Sequence, residues 1–234
     1  MEAKIRTQAV EDYLKVIYEL GRNGEPVATS AISTRLGVAA ATATGMIKKL
    51  ATLNLVEHEH YRGVRLTTSG RKIALEVIRH HRLVERYLYE AMGVPWDQVH
   101  AEAEKWEHVL SEEMEDRMAT ILGDPTTDPH GSPIPTRELE VEERNHQPLS
   151  TLVVGQRATV AEVEDEDAAM LRHFAELGLF PGTDVEVTAV GPFGGPIILR
   201  ASGRENGIGR QAADHVFVMN VMNVPEMDQG QTGC

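Results

Sequence analysis

The residues with the clearest capacity for chemistry are histidines and glutamates spaced as on a helix. A helix is predicted over residues 96–122, and it would place His100, Glu104 and His108 on one face with Glu107 next to Glu104. Imidazole and carboxylate groups on one helix face can bind a divalent cation. The alternative is an ordinary solvated face, because Glu and His are common on charged helices.

An upstream helix, predicted over residues 69–92, repeats this pattern with His81 and Glu85. Two such helices can converge on one cation, and donors without thiolate suit Mn, Fe(II), Co, Ni or Zn. A hydrolase or oxygenase centre could also use His and Glu. The sequence shows no additional base, oxyanion element or Gly-rich phosphate loop. We therefore expect a metal-binding protein that is not an enzyme and has no small-molecule substrate.

The first 74 residues have the pattern of a winged helix. A helix over residues 4–21 is followed by two short helices joined at Gly37, of which the second starts near residues 39–40. The next segment alternates and turns at residues 61–63, as a β-hairpin would. A helix-turn-helix followed by a hairpin is a winged helix, a module that serves in DNA binding and also in protein–protein contacts.

Charge is distributed unevenly along the chain. Residues 1–74 carry 11 Lys and Arg against 7 Asp and Glu, whereas the remainder carries 12 against 29. A basic module next to an acidic body favours double-stranded DNA as the partner of the winged helix. The candidate DNA-binding residues are Ala39, Ala41, Thr42, Thr44, Lys48, Lys49, Arg62 and Arg65. Since Arg, Asn and Gln are missing from the start of the second helix, base reading would depend on thymine methyl contacts and DNA shape.

The C-terminal part has a different pattern. Residues 123–150 are rich in Pro, Gly, Ser and Thr and are predicted to be irregular, and short Val- and Ile-rich runs follow from about residue 151, interrupted by one short helix. Several short strands at close spacing predict a small barrel. The fold class is mainly α with a small β domain. The predicted division is 1–74 winged helix-turn-helix, 75–145 helical dimerisation and metal-binding domain, 146–226 barrel and 227–234 disordered tail.

Composition narrows the class of protein further. No stretch approaches ~18 consecutive apolar residues, and the N-terminus lacks the apolar core of a secretory signal. The single cysteine, Cys234, excludes a disulfide framework and a Cys-based zinc cage. We therefore expect a cytoplasmic protein without a membrane partner.

Four segments carry a resemblance to a known family. RGVRLTTSGRKIA, HHRLVERYL, AEAEKWEHVLSEEMEDRM and DPHGSPIP resemble, in this order, the diphtheria toxin repressor family of metal-dependent repressors. Further on, FAELGLFPGTDVEV and GPFGGPIILR are similar to the SH3-like barrel of its longer members and of ferrous-transport accessory proteins. The resemblance covers residues 7–225. It implies a transcriptional repressor that binds palindromic operators as a homodimer when metal-loaded and controls metal-ion homeostasis.

The resemblance also implies roles for single residues. The regulatory metal site would comprise Asp12, Glu104, Glu107 and His108. A second, ancillary site would comprise His81, Glu85 and His100, with Asp167 from the barrel. Glu164 or Asp165 could take the place of Asp167.

Two of these positions bear on the choice of metal. Iron-selective members of the family have Met at the place of Asp12 and Cys at the place of Glu104, whereas manganese-responsive members have carboxylates, as this chain does. Hard oxygen donors favour Mn(II) over softer ions. Fe(II) is the alternative, and Co(II), Ni(II), Zn(II) or Cd(II) could substitute in vitro. Lys15 stands where the small manganese members carry Glu, which argues against a two-metal cluster of their type.

Overall fold

A computed structural model describes residues 6–21, 24–59, 62–142 and 145–223. The chain divides into two compact units. The first unit comprises residues 1–87, 101–126 and 134–141, and the second comprises 88–100, 127–133 and 142–234. The predicted tail, with Cys234, lies outside the described residues. Within the described residues, no helix is long and apolar enough to cross a membrane.

The first unit begins with a winged helix, as predicted. Its elements are α1 (Gln8–Leu20), α2 (Thr29–Arg35), α3 (Ala40–Thr52), β1 (Val56–Glu59) and β2 (Gly63–Leu66). The two strands pair antiparallel, with Val56 opposite Leu66. The first helix starts at Gln8 rather than at residue 4, because Thr7 has an extended backbone and precedes the first helical turn.

Apolar side chains from every element fill the core of the winged helix. Fully buried members include Val10, Leu14, Ile32, Ile47, Leu50 and Val64. These side chains repeat at three- and four-residue spacing on α1 and α3, so that each helix buries one face. The opposite face of α3 is left in solvent.

The remaining helices are α4 (Thr68–Met92), α5 (Val99–Trp106) and α6 (Glu112–Leu122). The single helix predicted over residues 96–122 is therefore wrong, since residues 107–111 form a turn. The backbone N–H groups of Val109 and Leu110 both donate to the carbonyl of Trp106. Ser111 then caps α6 by accepting from the N–H of Met114, and three glutamates in the first turn suit the positive end of the helix dipole.

The second unit contains a six-stranded antiparallel sheet in the order β3-β8-β4-β5-β6-β7. The strands and helices are β3 (Gln147–Pro148), β4 (Gln156–Val163), α7 (Ala168–Leu177), β5 (Asp184–Val190), β6 (Ile197–Ala201), β7 (Arg204–Ile208), α8 (Arg210–Ala213) and β8 (Val216–Asn223). The four predicted apolar runs form β4, β5, β6 and β8. Sequence reasoning missed β7, whose exposed polar residues give no alternating pattern. Positive φ angles at Ser202 and Gly203 form the tight turn that pairs it with β6.

The DPHGSPIP segment begins with a tight loop in the second unit. The Asp128 carboxylate accepts from the backbone N–H groups of His130 and Ser132. Gly131 has a φ of +96°, and a Cβ there would lie 2.1 Å from the carbonyl oxygen of Ala161. Only glycine fits this position. The loop is thus held against β4 by backbone geometry.

Candidate metal centre

Three predicted ligands meet in the first unit. Asp12 lies on α1, whereas Glu107 and His108 lie in the turn after α5. The Nε2 atom of His108 is 2.8 Å from Asp12 Oδ1 and 3.3 Å from Glu107 Oε1. One ligand atom from each residue lies within 4.8 Å of the others. We refer to Asp12, Glu107 and His108 as the Asp12 cluster, whose two carboxylates and one imidazole fit a divalent transition metal.

A second group of side chains shares Glu107 and surrounds Lys15. The Lys15 Nζ atom is 2.8 Å from Glu107 Oε2, 3.1 Å from His81 Nδ1 and 3.5 Å from Glu104 Oε1. Lys15 is only 6% exposed and Glu107 only 3%. His81 Nδ1 also contacts the Glu107 carboxylate directly. We refer to Lys15, His81, Glu104 and Glu107 as the Lys15 cluster.

Opposite charges shift the pKa values of these buried groups. Burial alone would lower the pKa of Lys15, but attraction to the Glu107 carboxylate raises it, and the ammonium stays charged. Burial would likewise lower the pKa of His81, but attraction to Glu85 and hydrogen bonding to Glu107 outweigh burial and raise that pKa to about 9. Although burial would raise the pKa of Glu107, hydrogen bonding to His81 and the charge of Lys15 lower it. Glu107 is therefore an anion between two cations.

His108 is oriented by a residue that sequence reasoning missed. Its Nδ1 is 2.7 Å from Glu11 Oε2, which leaves Nε2 facing the Asp12 cluster. Burial alone would lower the pKa of His108, yet hydrogen bonds to Asp12 and Glu11 raise it. Arg6 in turn binds Glu11 and, through two nitrogens, Glu76. A carboxylate behind a metal-binding imidazole fixes its orientation and raises its basicity.

A second supporting group holds the backbone of the turn after α5. His80 Nδ1 is 3.1 Å from the carbonyl oxygen of Glu107, and its Nε2 is 3.1 Å from Glu115 Oε2. Arg79 also contacts Glu115 and donates to the carbonyl of Pro135 at 2.6 Å. This network ties α4 and α6 to the turn that carries two ligands. The His-His doublet at 80–81 was visible in the sequence, but the role of its first member was not.

The predicted ancillary ligands belong to different units. In the first unit, His81 Nε2 is 3.1 Å from Glu85 Oε1, which is fully buried. In the second unit, Asp165 Oδ2 is 3.6 Å from the Nδ1 atoms of both His100 and His130. The Asp167 carboxylate instead caps α7, accepting from the N–H groups at 169 and 170. Within the second unit, Asp165 is thus better placed than Asp167 to share a metal ion with His100. The ancillary centre as a whole stays a prediction.

The candidate DNA-binding residues lie on the outer surface of the winged helix. Those with exposed side chains are Ala39, Ala41, Thr42, Lys48, Lys49, Arg62 and Arg65. Thr44 is half-buried, and its hydroxyl donates to the carbonyl of Ala40. Arg65 contacts the carbonyl of Gly24. The predicted turn residue Tyr61 lies outside the described residues.

Comparison with known protein families matches nearly the whole chain in three segments. Residues 6–64 match the iron dependent repressor N-terminal DNA binding domain, and residues 67–136 match the iron dependent repressor metal binding and dimerisation domain. Residues 147–220 match the FeoA domain, which is SH3-like.

The individual proteins to which the chain is similar are repressors, as the names of these domains indicate. The iron-dependent repressor IdeR of Mycobacterium tuberculosis H37Rv is 34% identical over 208 residues, which cover 84% of this chain and 90% of that protein. IdeR of Mycobacterium leprae is 42% identical over 125 residues, 53% of this chain and 54% of that protein. The diphtheria toxin repressor of Corynebacterium jeikeium is 32% identical over 202 residues, 76% of this chain and 84% of that protein.

Solved structures give the same result. A manganese-dependent transcriptional repressor in complex with manganese is 37% identical, with a TM-score of 0.82 over 90% of this chain and 99% of that chain. The IdeR structure from T. acidophilum is 31% identical, with a TM-score of 0.74 over 89% of this chain and 96% of that chain.

Fold, site and relatives together define a class, the metal-dependent transcriptional repressors that bind DNA through a winged helix. Within that class, the chain belongs to the diphtheria toxin repressor family. The predicted resemblance, fold class and SH3-like barrel are confirmed. Because the relatives are repressors and not enzymes, the prediction that this chain is not an enzyme is also confirmed.

Proposed function

We propose that this protein is a manganese-dependent repressor that binds palindromic operators as a homodimer and controls metal-ion homeostasis in the cytoplasm. The observation that carries the proposal is the Asp12 cluster, in which every donor is a carboxylate oxygen or an imidazole nitrogen. Mn(II) lies at the weak end of the divalent series and competes best at oxygen-rich sites. Fe(II) is the alternative activator, since iron-dependent repressors are among the relatives.

The position of Asp12 suggests how metal binding would control DNA binding. Asp12 is on the first helix of the winged helix, whereas Glu107 and His108 lie in the segment similar to metal binding and dimerisation domains. The bound ion would supply a positive charge that links anionic donors from these two segments. Asp12 would then hold α1 in one position relative to Glu107 and His108. The DNA-competent arrangement gains population because it binds the ion more tightly.

Two further surfaces support a dimer on DNA. Exposed apolar side chains lie in the turn after α5 and on α6, namely Val109 (80% exposed), Met114 (46%) and Ile121 (66%). Such side chains are typical of a surface that a second subunit covers. The exposed face of α3, with Lys48 and Lys49 toward its end, would enter the major groove of each half-site.

The remaining assignments complete the proposal. The regulatory site would be Asp12, Glu107 and His108, with Glu104 alongside. The ancillary site would draw on His81, Glu85 and His100, with Asp167 or Asp165 as the barrel ligand. Residues 1–74 would bind DNA, residues 75–145 would dimerise and bind metal, and residues 146–226 would form the barrel domain.

Metal-dependent DNA binding tests the proposal directly. Operator sequences are first selected from genomic fragments with the Mn(II)-loaded protein, and affinity is then measured by fluorescence anisotropy with Mn(II), with anaerobic Fe(II) and with chelator. We expect Mn(II) to raise operator affinity at least about tenfold, a coupling typical of two-state proteins. His108→Ala should remove that increase and leave a folded protein. An equal affinity with metal and with chelator would contradict the proposal.

A further inference from the structure

The Lys15 cluster contains three groups that could bind a metal ion, and the ammonium of Lys15 lies among them. His81, Glu104 and Glu107 each offer one donor atom, and these atoms lie within 4.8 Å of one another. The Lys15 ammonium contacts all three residues, at 2.8 to 3.5 Å. Three donor groups that could surround a metal ion therefore surround a covalently attached positive charge.

The Asp12 cluster next to it contains no lysine or arginine. Its three members, Asp12, Glu107 and His108, are all candidate ligands. Asp12 and Lys15 are three residues apart on α1, so both project from one face of the helix toward Glu107. One face of α1 thus presents an anion to one cluster and a cation to the other.

We infer that Lys15 is a specificity-determining residue whose ammonium replaces a second metal ion beside the regulatory centre and limits that centre to one ion. This inference rests on the proposed function, since it concerns the same centre. A divalent ion entering the Lys15 cluster would have to displace a buried ammonium from its contacts with Glu107 and His81. The displaced charge would either stay buried and unpaired or face the incoming ion, and both are unfavourable.

The same contacts give the ammonium a role when metal is scarce. Lys15 joins α1 to Glu107 through a buried ion pair that needs no metal. Both Glu107 oxygens lie near the ammonium, Oε2 at 2.8 Å and Oε1 at 3.1 Å, and Oε1 is also 3.3 Å from His108 Nε2. Glu107 thus lies between the two clusters, because Oε2 faces the Lys15 ammonium and Oε1 lies between that ammonium and His108.

The experiment counts Mn(II) ions and asks whether any two are neighbours. Electron paramagnetic resonance of free and bound Mn(II) during a titration gives the stoichiometry, and spin–spin coupling reports a pair that shares Glu107. The proteins compared are wild type, Lys15→Met, which removes the charge at similar length, and Lys15→Arg, which keeps it. All three are also measured with His100→Ala, so that the predicted ancillary centre contributes no ion.

We expect one uncoupled Mn(II) at this centre in wild type and in Lys15→Arg. Lys15→Met should gain one Mn(II) per subunit at excess metal, with a coupled spectrum. A coupled pair in wild type would overturn the inference, and this holds even if the Met variant does not fold. An unchanged ion count in a folded Lys15→Met would also overturn it. Failure of the proposed function would give a different result: if Asp12 does not bind metal, Asp12→Ala leaves the ion count of the wild type unchanged.

Discussion

The Asp12 cluster and the Lys15 cluster share one carboxylate but differ in what balances their negative charge. In the Lys15 cluster, the positive charge comes from the buried ammonium of Lys15, which contacts Glu107. In the Asp12 cluster, the balance comes from an imidazole that must lose a proton to bind metal. The residue types at two positions of one helix, Asp12 and Lys15, therefore separate a group of ligands that the protein itself neutralises from one that depends on an external ion.

The largest effect is expected where the two clusters meet. Glu107→Gln keeps the size of the side chain but removes the charge that both clusters use. Mn(II) affinity at the centre should fall at least about 100-fold, because a carboxylate ligand is lost. Breaking a buried ion pair costs about 3–5 kcal/mol, so the Tm of the metal-free protein should fall by about 10 °C. Calorimetric titration and thermal melts measure the two effects.

The matched control for this prediction is Glu113→Gln. Glu113 is exposed on α6 and, among the described residues, forms its ion pair with Arg117 four residues later, so neither quantity should change by more than a small amount. If Glu107→Gln melts like wild type, the buried pair with Lys15 does not hold the two clusters together. If it binds Mn(II) like wild type, Glu107 is not a ligand.

Metal selectivity gives an intermediate effect that separates the clusters. Asp12→Met combined with Glu104→Cys replaces two hard oxygens by soft sulfur, which should favour Fe(II) or Co(II) over Mn(II) by about tenfold or more. The structure places Asp12 2.8 Å from His108 but places Glu104 beside Lys15, with 57% of its side chain exposed. We therefore expect Asp12→Met alone to account for most of the change.

Half-maximal operator binding for each ion, measured anaerobically, gives the selectivity ratio. Asp12→Met with Glu102→Cys serves as the control, because it puts the same cysteine on α5 at a position beside Lys105. The operator sequence should stay the same, since neither position is on α3. An unchanged Mn(II)-to-Fe(II) ratio in the double variant would show that these two residues do not set selectivity.

Local patterns predicted the parts of the site that each segment determines by itself. The four-residue spacing of His81 and Glu85 and the winged helix follow from helical periodicity and turn residues. The break after Trp106 was also visible locally, since Ser111 is followed by three glutamates within four residues, a typical start of a helix. The prediction of one long helix is wrong because the helical spacing of apolar residues continues across this capping pattern, which ends one helix and begins the next.

Contacts between distant segments could not be predicted from local patterns. Glu11 contacts His108 across 97 residues of sequence, and Lys15 contacts Glu107 across 92. Nothing in the neighbourhood of Glu11 distinguishes it from a solvated helix residue. Likewise, the polar strand β7 exists because it pairs with β6, from Ile197 opposite Ile208 to Ala201 opposite Arg204. Residues of this kind acquire their roles from the tertiary structure.

The smallest expected effect concerns the carboxylate behind the Asp12 cluster. Glu11→Gln keeps a hydrogen-bond acceptor for His108 Nδ1 but removes its charge. Loss of such a supporting carboxylate typically weakens metal binding by 10- to 100-fold, and we expect about tenfold at pH 8 because Arg6 and Glu76 still position the segment.

The pH dependence of Mn(II) affinity gives a second test of the role of Glu11. The pKa of His108 is raised in the metal-free protein, because hydrogen bonds to Asp12 and Glu11 outweigh the opposing effect of burial. A raised pKa means that the proton on Nε2 competes with metal up to a higher pH, so Mn(II) affinity should fall about tenfold per pH unit below that pKa. Glu11→Gln lowers the pKa of His108, and this fall should therefore begin at a lower pH. The affinities of wild type and variant should converge as the pH is lowered from 8 to 6.

Glu76→Gln is the control, since it removes a partner of Arg6 without touching His108, and its profile should follow wild type. Parallel profiles for wild type and Glu11→Gln would show that Glu11 strengthens metal binding without raising the pKa of His108. Protonation of His108 would then not distinguish the Asp12 cluster from the Lys15 cluster.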